Sequence, residues 1–191
     1  MRKVPITREG KGKNEKTAAS SLRRLDPAST VESIVNKALK TSASKMGLRD
    51  AKAVIACLKE NDPVACSYCH YNVAKELGAV LGSWDKNIRA VYAYGYDDNT
   101  SAQECSESIS LFSLVHMIIW TERKTKALKA LIEAIDHALA QHQRQLFALK
   151  ELEHMLDVQV IDDVDVKSRT GYASLLKSIH QMPVQVWGDS N

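Results

Sequence analysis

The residues most able to do chemistry lie at 66–70, Cys-Ser-Tyr-Cys-His, within the stretch DPVACSYCH. Five residues of this type support four readings. The pattern C-x-x-C-H is the one that tethers haem covalently in c-type cytochromes. Haem is disfavoured here, because no export signal precedes the pair and no methionine is marked out as a sixth ligand. A metal site is the second reading. Cys66 and Cys69 form a C-x-x-C pair, Cys57 lies across the Asn61-Asp62-Pro63 turn, and His70 or Cys105 would complete the thiolate and imidazole set that tetrahedral zinc takes. There is no second C-x-x-C and no H-x₃₋₅-H partner, so the spacing is incomplete. The third reading is redox chemistry, since a thiol in the first turn of a helix gains thiolate stability from the helix dipole. The fourth is packing. A helix starting at Pro63 puts Cys66 and Cys69 on one face with Val73, Leu77 and Val80, and free cysteine is among the most buried of residue types. Packing is the reading the sequence favours.

Other candidates are thinner. Glu151 and His154 have the E-x-x-H spacing of di-iron carboxylate bundles, but no second copy exists. His154 then reads as a polar flank near a helix end. Asp97-Asp98 and Asp162-Asp163-Asp165 fall at expected strand ends, where paired carboxylates can hold Mg²⁺ for phosphodiester chemistry. Aspartate is also the ordinary residue of turns and helix starts. His116 and His142 sit in apolar surroundings and read as hydrogen-bonded core or half-buried residues. No phosphate-binding glycine loop, nucleophile elbow or H-E-x-x-H motif occurs.

Charge is distributed unevenly. The net charge is +3, yet residues 1–46 carry eleven Lys or Arg against four Asp or Glu, leaving the remainder net acidic. Lys11, Lys13, Lys16, Arg23 and Arg24 could contact nucleic-acid phosphates, with salt-sensitive affinity and no base preference, because the arm has no aromatic residue to stack on bases. An acidic protein surface is the alternative partner.

The elements that must position these groups follow from periodicity. Residues 1–22, with little apolar bulk, are expected to be a disordered basic arm. Residues 23–191 are expected to form a single α+β domain, helical over 26–82, with a sheet and a long helix over 88–191. Val31, Ile34, Val35 and Leu39 mark a first helix; a second covers Leu48–Lys59; Asp62 and Pro63 start a third that stops at Gly82. IRAVYAYGY and SISLFSLVHMIIW read as two strands joined as a hairpin with a long tip. Residues 121–156 read as a long amphipathic helix on a seam of Leu128, Leu131, Ile135, Ala138, His142, Leu146, Leu149 and Leu156. DVQVID is a strand, Ser168–His180 a helix, and Pro183–Trp187 a terminal strand. The expected fold is thus a small, mainly antiparallel sheet packed by helices.

No run of apolar residues is long enough for a transmembrane helix, and residues 1–16 lack the apolar core of a secretory signal. The expectation is a cytoplasmic, non-enzymatic binding or assembly protein, with self-association through the long helix. A zinc- or iron-binding or thiol-redox protein using Cys57, Cys66, Cys69 and His70 is the first alternative. A Mg²⁺-dependent nuclease-like enzyme using Asp97 and Asp162 is the second.

Overall fold

The computed structural model of the chain describes residues 25–96, 109–178 and 182–188. Three helices come first: α1 (Pro27–Lys45), α2 (Ala51–Lys59) and α3 (Pro63–Trp84). Each begins on an aspartate whose carboxylate accepts from a backbone N–H of the first turn: Asp26 from Ser29, Asp50 from Ala53, Asp62 from Val64 and Ala65. Proline at the first position of α1 and α3 costs no hydrogen bond there. Then follow β1 (Ile88–Ala93), β2 (Val115–Thr121), α4 (Lys126–Phe147), β3 (Leu156–Asp162), α5 (Asp163–Ser168), a 3₁₀ helix (Gly171–Lys177) and β4 (Val184–Gly188).

The strands form one sheet in the order β3-β2-β1-β4. β1 pairs antiparallel with both β2 and β4, whereas β2 and β3 run parallel. The sheet is therefore mixed. The parallel pair exists because α4 carries the chain back across the sheet before β3 begins, as a parallel connection requires. Alternation along β2 sorts its side chains. Val115, Met117 and Ile119 join the main core with Val31, Val35, Leu77, Leu81, Leu128, Ile135 and Leu139 of the helices. Ile118 and Trp120 face the other way, onto Ile161, Ala173 and Leu176. Helices α1, α3 and α4 cover one face, and the 3₁₀ segment covers part of the other.

Three expectations need correction. The long helix spans 126–147, not 121–156. Thr121 completes β2, the Thr125 side chain caps Leu128 N–H, and Ala148 ends the helix in the left-handed conformation at φ 54°. Leu156 consequently opens β3, and His154 lies in the extended approach to it. The strand expected over SISLFSLVHMIIW is confined to 115–121, because Ser110 and Ser113 close a turn ahead of it. The helix expected at 168–180 is replaced by α5, a left-handed Arg169 at φ 54° and the 3₁₀ turn. Among the described residues no helix is long and apolar enough to cross a membrane.

β4 docks against α3 through glycine. A methyl group on Gly82 would lie 2.2 Å from Cε2 of Trp187, while one on Gly78 would meet Val186 Cγ2 at 3.1 Å. Gly82→Ala forces the indole, and β4 with it, to move. Such overpacking costs about 1–3 kcal/mol, against roughly 1 kcal/mol of helix propensity gained. Gly82→Ala is expected to lower the urea midpoint. Gly78→Ala, which asks the Val186 side chain to give by only a few tenths of an ångström, is expected to leave the midpoint near wild type or above it.

Candidate functional site

The cysteine cluster lands where packing places it. Cys66 and Cys69 are buried on the core side of α3, while Cys57 is half-buried in α2. Burial, with a smaller contribution from the Asp62 charge, pushes the Cys66 thiol up to about 11. Burial and the neighbouring Cys66 push Cys69 up to about 12. Desolvation thus outweighs the helix dipole at the start of α3. His70 is 2% exposed, and neither ring nitrogen has a hydrogen-bond partner among the described residues. Among the described residues no three His, Cys, Asp or Glu side chains are grouped so as to hold a metal ion. Cys105, Asp97, Asp98 and the arm residues Lys11, Lys13, Lys16, Arg23 and Arg24 lie outside the described residues.

The acidic cluster after β3 is occupied by its own neighbours. Asp162 caps α5 through Val164 and Asp165 N–H, and Asp165 accepts in return from Asp162 N–H. Lys124 bridges Asp162 and Asp165, while Asp163 accepts from Arg89 at 3.0 Å and from Trp120 Nε1 at 2.8 Å. β1 leaves the sheet at the end where β3 enters it. The strand ends leading to Asp97 and to Asp162 therefore open at opposite ends of the sheet. His154 pairs with Asp136 at 2.7 Å, not with Glu151.

A different constellation stands at the end of the sheet where β1 finishes and β2 and β3 start. The parallel register sets His116 beside Asp157. His116 Nδ1 lies 2.9 Å from Asp157 Oδ2. The hydroxyl of Tyr94, one residue past β1, donates to the same oxygen at 2.8 Å. Gln159, two residues along β3 on the same face, donates to Oδ1 at 2.9 Å. One carboxylate thus gathers three donors, from β2, from β3 and from the residue that follows β1. With Asp157 as acceptor, Nδ1 carries the proton and Nε2 carries the lone pair. The imidazole is 40% exposed, and no described group bonds Nε2.

The electrostatics agree with this assignment. Burial acts to raise the Asp157 carboxyl, and the bonds from His116, Tyr94 and Gln159 overcome it, leaving the group below the usual carboxylate range. Desolvation, then the bond to Asp157, raise the Tyr94 phenol far above its ordinary value, so Tyr94 remains a donor. The Tyr94 ring lies 5.1 Å from the imidazole and 6.0 Å from the ring of Tyr172, which is itself 40% exposed. Two tilted aromatic rings therefore stand beside the imidazole.

From sequence His116 reads as a hydrogen-bonded core or half-buried residue, which agrees with its bond to Asp157, but no motif there marks Tyr94 or Asp157. A signal was present: Tyr92 and Tyr94, His116 and Ile118, Asp157 and Gln159 each keep period two and so share a face. What local pattern does not contain is the register that brings the three strands level. No protein-family model, curated protein or solved structure matches the chain.

Proposed function

We propose that this protein is an acid–base catalyst whose proton-transfer group is His116. The observation that carries the reading is the Asp157 carboxylate, held by Tyr94 and Gln159 and placed 2.9 Å from His116 Nδ1. That contact fixes the tautomer and ring orientation, so that Nε2 is the basic atom on the open side. Nε2 takes a proton from a water or from an acidic C–H or O–H of a bound substrate. The imidazolium that forms is stabilised by the Asp157 charge beside it, and it returns the proton to the leaving group. Asp157 keeps its negative charge throughout. The rings of Tyr94 and Tyr172, tilted by 47° to each other, supply apolar faces for a small acyl substrate. A purely structural reading would make the same cluster a strap across three strands.

Hydrolysis of p-nitrophenyl acetate separates the two. A positioned base contributes about 10²–10⁴-fold to such rates. The wild type is expected to release nitrophenolate above the buffer rate, and His116→Gln to lose on the order of 10²-fold, with its circular dichroism and melting unchanged. Asp157→Asn is expected to lose most of the same activity, since its amide can present a donor to Nδ1 and reverse the tautomer. Equal rates for wild type and His116→Gln would leave only the strap.

A further inference from the structure

The sheet has two edges, β3 and β4. They differ in how open they are. β4 has five residues, its pairing to β1 is interrupted by a bulge between Val91 and Tyr92, and it is packed onto α3 at Gly82. β3 has seven residues, and its register with β2 runs without interruption from Leu156 to Asp162. Exposed edges are normally blunted by proline, lysine or a bulge. Leu-Asp-Val-Gln-Val-Ile-Asp contains none of these; its two charges, Asp157 and Asp162, are held by Tyr94 and His116 and by Lys124 and the α5 cap, and no described strand pairs with its outer side.

Beside this edge runs a groove of about 530 Å³ between β3 and the first half of α4. Its floor is apolar: Leu128, Ile132, Val158 and Val160. Its two ends carry opposite charge. Where β3 finishes stand Lys124, Lys126 and the start of α4. Where β3 begins stand Glu133 and Asp136. Of these, Lys126 has no ion-pair partner among the described residues.

We propose that β3 is the surface through which two copies of this chain assemble, their sheets joined edge to edge about a twofold axis at Gln159. The sequence of the strand fits that axis. Antiparallel self-pairing centred on Gln159 sets Val158 of each copy opposite Val160 of the other, on the face that lines the groove. The same axis brings the lysine end of one groove, with Lys126, toward the carboxylate end of the other, where Glu133 is exposed. An isologous contact of this kind closes on itself, and leaves only the shorter β4 edges at the two ends of the joined sheet. It also puts both copies of α4 side by side over the apolar floor. The proposal is independent of catalysis at His116.

Sedimentation and a cross-link at the axis test it. The wild type is expected to sediment at twice the chain mass through the micromolar range. Oxidised Gln159→Cys is expected to trap the dimer covalently, because cysteines facing each other across an antiparallel pair lie about 4.5–5.5 Å apart at Cα. Val164→Cys, 69% exposed on α5, is the control. The trapped fraction at position 159 should exceed that control about tenfold or more, as effective concentration at a paired site demands. Ile132→Glu is expected to sediment as a folded monomer. A wild type that remains monomeric overturns the proposal. So does a dimer in which Gln159→Cys cross-links no faster than Val164→Cys.

Discussion

Asp136→Ala is expected to cost the protein about 3–5 kcal/mol of unfolding free energy, since it strands buried donors worth about 1–3 kcal/mol each. Asp136 sits on α4 at 9% exposure, facing the chain as it enters β3. Its Oδ1 accepts from the N–H of Met155 at 2.7 Å and of Leu156 at 2.9 Å, and its Oδ2 meets His154 Nδ1 at 2.7 Å. Alanine leaves both backbone donors without an acceptor in a place water reaches poorly. Asp136→Asn keeps an oxygen for them and is expected to lose roughly half as much, the charge assistance being what it gives up. His154→Ala should cost least, because the ring is largely exposed. The bond to Asp136, then its charge, hold the His154 imidazole above its ordinary value. Its contribution is therefore complete below about pH 6.5, the unfolded value, and fades as pH rises through the raised folded one. Chemical denaturation of the three variants at two pH values checks the order. An Asp136→Ala variant as stable as wild type would show that β3 is anchored without it.

The second large effect is acid sensitivity from His70. Burial, with a smaller push from His116, lowers its imidazole from 6.5 to about 4. For a base held neutral in the fold, the unfolded chain binds the extra proton between those two values. Stability must then fall as pH drops from about 6.5 to about 4, and level off below. The gap corresponds to about 3 kcal/mol by the usual conversion of pKa into free energy. His142, lowered chiefly by burial, acts in the same direction. Replacing His70 with leucine removes two nitrogens that have no partner among the described residues and keeps the volume apolar. His70→Leu is expected to match or exceed the wild type at pH 7, and to be more stable by about 2–3 kcal/mol at pH 4.5, as the same linkage requires. The carboxylates titrate alike in both proteins, so the difference between their pH curves isolates the imidazole. Parallel curves would mean that water or motion reaches His70 in the folded state.

These two residues also show what sequence can and cannot reveal. The start of α3 was legible, because Asp62-Pro63 acts on the first turn alone; the start of α4 was not, since the expected helix began at 121 and Thr125 caps it five residues later, at 126. Burial of Cys66 and Cys69 was legible too, since helical spacing ties them to Val73 and Leu77. The C-terminal limit of α4 was not, because nothing in Gln-Leu-Phe-Ala-Leu announces a left-handed alanine at 148. The apolar seam continued to Leu156, but that leucine was serving the sheet. By residue type alone His70 stands as a candidate ligand in the metal alternative. Its helical position, one past Cys69, places it in the core, where no spacing rule says whether a partner waits. His116 and Asp157 are 41 residues apart and become neighbours only through the parallel pairing of β2 with β3, a choice made by the crossover and not by either strand.

The order of the strands sets a problem for biosynthesis. β1 is flanked by β2 on one side and β4 on the other, and β4 lies roughly ninety residues further along the chain. At about 5–20 residues per second on the ribosome, β1 waits several seconds or more with one side unzipped. In that interval Val91 and its neighbours are available to any other extended chain. Nascent polypeptide of this protein should consequently lean on holdase chaperones until residue 188 has emerged, and slowing translation after β2 should lengthen that dependence.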